Sequence, residues 1–320
     1  MTTTPGVHPG DPGPPARPST VGEVSSSASL VVCVVVTHQR PESLRRCLRA
    51  VAGQSRPPDH VVVVDNGQDA AARRALAECG LPHTYLPSRT NLGGAGGFAL
   101  GILTARSLGA DWVWLADDDG RPGGDRTLAT LLRCAEDKSL DAVAPLVLDL
   151  DNPDRLAFPL RQGLAWVRTR ADLGAVRFVP GVAQLFNGTL LSARALDTVG
   201  VPDPRLFVRG DEVEVHRWMV RSGLRFGTCT LATYRHPSGA RDYRPILGGR
   251  VPVYVPAERG RAATAYRNQG YLTSQPGLRW RRWPDEARYA WYYLAQQRDL
   301  TGWRGWREQS SRGRREQFSA

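Results

Sequence analysis

Residues 30–36 are an unbroken apolar run, with no polar position alternating through it. A run of that length without alternation predicts a β-strand buried on both faces, as in a parallel sheet covered by helices. Thr37-His38-Gln39-Arg40-Pro41 then reads as a turn, and residues 42–52 as a helix with Leu44, Cys47, Leu48 and Val51 on one stripe. Residues 60–64 repeat the buried-strand pattern and end at Asp65-Asn66-Gly67. Residues 70–79 give a second helix and residues 84–86 a short third strand. This βαβαβ opening predicts a doubly wound α/β sheet with right-handed crossovers. A glycine run, Gly93-Gly94-Ala95-Gly96-Gly97, precedes a helix over 98–108, and a further strand is predicted over 112–116. Residues 128–136 read as a helix and 141–146 as another short strand. Beyond residue 151 the pattern is irregular until a strand near 185–191, a helix over 193–199 and one of about ten residues from Asp211 to Ser222. The acidic first turn of that last helix suits the helix dipole.

Three places along this pattern carry candidate chemistry. The strand over 112–116 ends at Asp117, Asp118 and Asp119. Three adjacent carboxylates repel one another, and any that are desolvated must be protonated or paired. A divalent cation, Mg²⁺ or Mn²⁺, bridging to a phosphate relieves that charge, in the crevice where α/β sheets place ligands. A solvated acidic turn is the plainer reading. The glycine run satisfies G-x-G-x-x-A, so a dinucleotide-binding dehydrogenase is considered. It is not the first βα turn, however, and glycines there equally let backbone N–H groups approach a nucleotide diphosphate. The third place is Gly210-Asp211-Glu212-Val213-Glu214, with His236 following in the sequence. A carboxylate there could take a proton from an acceptor hydroxyl. A solvated helix start and a lone loop histidine are the alternatives.

Composition narrows the partners only in part. The formal charge is +11, and Lys138 is the one lysine among 42 basic residues. Arginine favours bidentate contact with phosphates and carboxylates, so nucleic acid, anionic lipid and a diphosphate ligand all remain open on charge alone. Five scattered cysteines without a Cys-x-x-Cys pair speak against zinc or a disulfide framework and predict reduced core thiols in the cytosol. Residues 1–27 are rich in Pro, Gly, Ser and Thr, the composition of a disordered tail and not of a signal peptide. From residue 257 onward the character changes. Residues 279–318 carry ten Arg and five Trp against five acids, and Ala287, Ala290, Trp291, Leu294 and Ala295 fall on one helical stripe. Such a segment is expected either to lie at a membrane interface or to pack across the main domain with its arginines solvated.

The residues 34–41, the Asp65 strand end, Asn91-Leu92-Gly93-Gly94, the Asp triplet and Gly210 to Glu214 together resemble the inverting family 2 glycosyltransferases of GT-A fold. The likeness is strongest to the actinobacterial galactofuranosyltransferases that start cell-wall galactan. It spans roughly residues 30–318. It implies a Rossmann-like mixed sheet over 28–256, with a helical basic-aromatic segment over 257–320. It also implies UDP-galactofuranose as donor and a polyprenyl-diphosphate-linked rhamnosyl-N-acetylglucosamine as acceptor, with two successive additions. By that resemblance Thr37, Arg40 and Asp65 face the uridine, Asn91, Gly93 and Gly94 lie near the diphosphate, and Asp117 and Asp118 belong to the donor site. Asp119 and His236 hold the metal and Glu212 is the base, with Asp211 its rival because the related polymerising enzyme has Asp-Asp at these positions. The expected setting is the cytoplasmic face of the cell membrane, bound peripherally, with no nucleic acid partner. A family 2 transferase of another sugar, such as a rhamnosyltransferase, a nucleotidyltransferase, and an inactive transferase-like assembly partner are the competing readings. The nucleotidyltransferase would show a glycine-rich loop after the first strand, and Thr37 to Pro41 has no glycine.

Overall fold

The structure is a computed structural model that describes residues 29–163 and 165–318. The tail expected over residues 1–27 lies outside the described residues. The first half runs β1 (Val31–Thr37), α1 (Pro41–Ala52), β2 (His60–Asp65), α2 (Ala70–Ala77), β3 (His83–Pro87), α3 (Gly93–Ser107) and β4 (Trp112–Asp117). These four strands are parallel in the order β3-β2-β1-β4. The sheet is then continued by β5 (Arg121–Pro122), α4 (Thr127–Lys138), β6 (Ala142–Asp149), β7 (Arg155–Gln162), β8 (Ala165–Thr169), α5 (Arg170–Leu173) and β9 (Phe178–Pro180). After these come β10 (Leu190–Ser192), α6 (Ala193–Val199), α7 (Asp211–Arg221) and β11 (Phe226–His236). β10 inserts antiparallel between β4 and β6, and β11 runs parallel to β6, so the sheet is mixed.

Why β1 lacks alternation is visible in its two faces. Val31, Cys33 and Val35 pack with α1, α2 and α4, while Val32, Val34 and Val36 pack with α3, α6 and α7. Both faces are dry, and each strand residue contributes burial worth about 1.5–3 kcal/mol for a valine-sized side chain. α3 begins at Gly93, five residues earlier than its apolar pattern indicates. Glycine is a poor helix former, but here tertiary packing selects it. A Cβ on Gly97 would lie 2.5 Å from Val36 Cγ1, and one on Gly101 2.3 Å from Val34 Cγ1. The glycines let α3 sit directly on β1.

β11 was not legible as a strand: its Thr-rich sequence lacks a clean period, and it is bulged between Cys229 and Thr233. The last part of the chain forms a hairpin, β12 (Tyr243–Ile246) and β13 (Val251–Tyr254), followed by α8 (Arg259–Leu272), α9 (Arg282–Ala290), a π-helical turn (Trp291–Gln296) and α10 (Leu300–Arg314). These pieces share a small core of Ile246, Val253, four tyrosines and Trp306. α8 and α10 cross at glycines, where a Cβ on Gly270 would meet Ser310 O at 2.0 Å and one on Gly313 would meet Arg267 O at 1.7 Å. The five tryptophans of this segment therefore divide: Trp306 is buried, Trp303 stacks on it, and Trp280, Trp283 and Trp291 are exposed. Among the described residues no helix is long and apolar enough to cross a membrane.

Candidate active site

Strand register gathers the first residues. Thr37 pairs with Asp65 and Val36 with Asp117, so the carboxyl ends of β1, β2 and β4 stand side by side. The triplet turns sharply into β5, whose Pro122 and Arg121 pair with Tyr234 and Arg235 of β11. That pairing delivers the next residue, His236, to Asp119. Gly120 is required at the turn because a Cβ there would lie 2.4 Å from the buried Tyr234 ring.

The three carboxylates do different things. Asp118 points back into the fold, where its Oδ2 accepts from Thr37 Oγ1 at 2.7 Å, and Arg40 reaches its Oδ1 at 3.4 Å. Arg40 also donates to Asp119 Oδ2 at 2.9 Å, neutralising part of the cluster. Asp117, Asp119 and His236 each turn one ligand atom into a common space, all within 4.8 Å of one another. Burial, and then Asp119, push the Asp117 carboxyl up to about 7. Burial also acts upward on Asp119, but His236 and Arg40 outweigh it and hold that carboxyl below its usual range. For His236 burial opposes the charged ring, and Asp119 and Asp117 prevail, raising its pKa.

A hydrogen-bond detail tests whether this trio fits a cation. His236 Nδ1 lies 2.7 Å from the Pro237 carbonyl, which can only accept, so Nδ1 carries the proton. In the neutral ring Nε2 then presents a lone pair to Asp119 Oδ1, 3.0 Å away. Asp119 Oδ1 is buried and receives no aligned hydrogen bond. Two facing lone pairs at that distance need a proton or a metal ion between them. Two carboxylates and an imidazole oriented by a backbone carbonyl are a donor set suited to Mn²⁺ or Mg²⁺.

Around this cluster, Asp65 is fully buried and accepts from Gly67 N, Asp69 N and Tyr85 OH, each at 2.7 Å. A carboxylate has about four acceptor positions, so most of this one is committed to shaping the β2 turn. Asn91 Oδ1 accepts from Gly93 N at 2.9 Å. Gly93 has φ +67°, and a Cβ on it would strike Phe207 O at 2.1 Å, whereas a Cβ on Gly94 would meet open space. Gly94 is thus the glycine at the α3 start whose surroundings leave room for a ligand.

On the far side, α7 follows Gly210, with Asp211 buried and Glu212 half-buried. Glu212 Oε2 accepts from Gly210 N at 2.9 Å and the residue lines a cavity of about 170 Å³. Burial, then the adjacent Glu212, push the Asp211 carboxyl well above its usual value. Asp211 therefore favours the protonated form, and the acid open to the cavity is Glu212. Glu214, which a solvated acidic face would expose, is buried and accepts from Tyr271 OH at 2.6 Å. Sequence reasoning missed the other walls of this cavity, Arg209, Tyr243, Tyr254, Arg281 and Tyr289. They come from the loop before α7, from β12 and β13, and from α9 and the turn before it, and the signal for them was the aromatic and basic character of the C-terminal region.

A mixed α/β sheet with an acidic triplet at a parallel strand end, a histidine facing it from the end of β11 and a second acidic motif across the cleft define a nucleotide-sugar transferase of GT-A fold. Residues 28–245 match the family described as "Glycosyltransferase like family 2", and the chain belongs to that family. It is 54% identical over 296 residues to the galactofuranosyltransferase GlfT1 of Mycolicibacterium smegmatis, covering 90% of this chain and 98% of that one. With the GlfT1 of Mycobacterium tuberculosis the identity is 50% over 293 residues, covering 90% and 96% of the two chains. Among solved structures, TarS 1–349 of S. aureus in complex with UDP-GlcNAc matches with a TM-score of 0.55 at 11% identity, covering 90% of this chain and 88% of that chain. The mannosyltransferase PcManGT of Pyrobaculum calidifontis, in complex with GDP-Man and Mn²⁺, matches with a TM-score of 0.50 at 15% identity, covering 88% and 73%. At such identities the two structures speak for the fold.

Proposed function

We propose that this chain is an inverting galactofuranosyltransferase. It moves galactofuranose from UDP-galactofuranose to a polyprenyl-diphosphate-linked rhamnosyl-N-acetylglucosamine, adding the first galactofuranosyl residues of a cell-wall galactan. The observation that carries the transferase reading is the facing pair Asp119 Oδ1 and His236 Nε2, 3.0 Å apart at the strand ends. The sugar is narrowed by the likeness to the two GlfT1 proteins over 90% of the chain.

Asp117, Asp119 and His236 would hold a divalent cation, Mg²⁺ or Mn²⁺. When bound, that ion neutralises the charge developing on the departing diphosphate. Thr37 and Arg40, fixed by Asp118, border the uridine together with the turn shaped by Asp65. Asn91 and Gly93 shape the turn into α3, and the open side of Gly94 faces the diphosphate, where the helix dipole favours negative charge. Glu212 takes the proton of the acceptor hydroxyl as its oxygen attacks the anomeric carbon opposite the leaving group. One base suffices, because inversion needs no protein nucleophile. Asp211, pushed up by burial and by the adjacent Glu212, stays protonated behind it. In this reading residues 28–256 bind the donor, and residues 257–320 complete the acceptor side at the cytoplasmic face of the membrane.

The test is incubation with UDP-galactofuranose and a synthetic lipid-linked rhamnosyl acceptor, with products read by mass and linkage analysis. One and then two added galactofuranosyl residues are expected. Transfer from a different nucleotide sugar, with none from UDP-galactofuranose, would overturn the choice of donor.

A further inference from the structure

α9 and the π-helical turn after it are folded with their polar side inward. The buried residues are Asp285, Tyr289, Tyr292 and Tyr293. Asp285 accepts from Gln269 at 2.8 Å and pairs with Arg288, Tyr289 OH donates to Tyr254 O at 2.9 Å, and the Tyr266 and Tyr293 hydroxyls lie 2.9 Å apart. Outward stand Trp283, Ala287, Trp291 and Leu294, which recur at helical spacing along one face. Trp280, Trp283 and Trp291 are 70%, 69% and 48% exposed. A folded protein does not ordinarily turn its tryptophans to water while burying a carboxylate, and a contiguous exposed apolar stripe marks a surface with a partner.

Three features of the stripe identify that partner. Its flanking charges are Arg279, Arg282 and Arg298, all exposed. Of the acids between residues 279 and 299, Asp285 is buried, Glu286 lies 3.7 Å from Arg307 of α10, and the exposed Asp299 accepts from Gly302 N at the start of α10. The face is therefore apolar with a positive rim, which complements an anionic surface. The side chains are also those that settle at the boundary between headgroups and acyl chains, tryptophan above all. Finally, the turn that begins the stripe has two sides. Leu278 and Arg281 line the cavity that holds Glu212, while Trp280 and Trp283 stand in solvent.

We propose that the Trp280–Trp283–Trp291–Leu294 face lies flat on an anionic membrane surface, with α9 parallel to its plane. The cavity beside Glu212 is then held next to the headgroups, where a substrate anchored by a lipid and carrying its sugars on a diphosphate would meet it. That last clause rests on the acceptor proposed above; the membrane contact does not. In this proposal α10 is not the anchor: its Trp303 and Trp306 pack inward, so its exposed arginines have no exposed tryptophan beside them on that helix.

The experiment uses the full chain with vesicles of phosphatidylglycerol and phosphatidylcholine, and vesicles of phosphatidylcholine alone. Sedimentation with the anionic vesicles is expected for the parent. It should fall at least tenfold in Trp280→Gln/Trp283→Gln/Trp291→Gln, with an unchanged melting temperature because these side chains are exposed. Arg304→Gln/Arg315→Gln on α10 should sediment as the parent does. If the tryptophan variant does not fold, Arg279→Glu/Arg282→Glu reads the same contact and should show the same loss. Equal vesicle binding by the stripe variants and the parent overturns the proposal. So does a parent that self-associates through this face, with the tryptophan variant monomeric and vesicle binding unaltered. Transfer to a short water-soluble acceptor is measured in parallel. Its absence in the parent would count against the proposed reaction and leave the vesicle result standing, whereas its retention in the variant separates anchoring from chemistry.

Discussion

At the scale of single residues, the site is a problem in lone pairs and protons. Asp119 Oδ1 and His236 Nε2 face each other with nothing aligned between them, so removing one partner removes the reason for a cation to sit there. Asp119→Ala is expected to abolish transfer. The stabilisation that UDP gives in a thermal-shift assay, enhanced by Mn²⁺ in the parent, should become indifferent to the metal. Unchanged turnover would remove the metal role. The two acids at the start of α7 are separated by burial: Asp211 is 4% exposed, while Glu212 opens on the cavity. Glu212→Gln should leave donor binding nearly intact and lower kcat on the order of 10²-fold or more, as loss of a general base does. Asp211→Asn imitates a neutral carboxylic acid and should do less. The reverse ranking in a kinetic comparison would make Asp211 the base.

At the scale of elements, α3 illustrates how one run of glycines serves two purposes. Gly93 is locked by its left-handed backbone and by the Phe207 carbonyl, which also accepts from Ala95 N at 3.1 Å. A methyl group there must displace that carbonyl, and Gly93→Ala is expected to cost about 1–3 kcal/mol, as overpacking does. Gly94 has nothing within 4 Å of its Cβ position. Gly94→Ala should keep or raise stability, by about 0.5–1 kcal/mol from the better helix propensity of alanine. If the diphosphate approaches the backbone here, the same change weakens UDP binding. Denaturant unfolding and UDP titration on both variants distinguish the roles. Equal stability loss in the two would refute the division.

At the scale of the whole molecule, the C-terminal helices reach back to hold the loop that carries the second acidic motif. Asn268 of α8 is 1% exposed, and its Nδ2 lies within 3.0 Å of the carbonyls of Leu206, Val208 and Arg209. That loop has positive φ at Phe207, Arg209 and Gly210, a conformation its own sequence disfavours at the first two positions. Asn268→Ala leaves the carbonyls without their donor, a loss of about 1–3 kcal/mol. It should lower kcat through Glu212 more than it alters UDP affinity. A variant with normal kcat and weakened UDP binding would show that the loop is not held from α8.

The sequence by itself determined the elements whose residues answer only to their own burial. The apolar centres of β1, β2 and β4 are buried, so those runs had no alternative use, and the acidic triplet was visible because three carboxylates ending such a run are costly. The Asp211-Glu212 motif stood out as an acidic helix start, and its expected role as base came from the family resemblance. What tertiary structure decided were the properties that depend on a partner distant in the chain. β11 is a strand because β6, β9 and β5 pair with it, which is how His236 reaches Asp119 and why Asp117 joins them. The glycines of α3 form a helix because β1 leaves no room for side chains. The stripe of Ala287, Trp291 and Leu294 was plain as a periodicity, but a helical period states only that one face differs from the other. Which face turns inward was settled by the tyrosines, Asp285 and Trp306, whose hydrogen bonds and stacking fill the interior and leave Trp280, Trp283 and Trp291 outside.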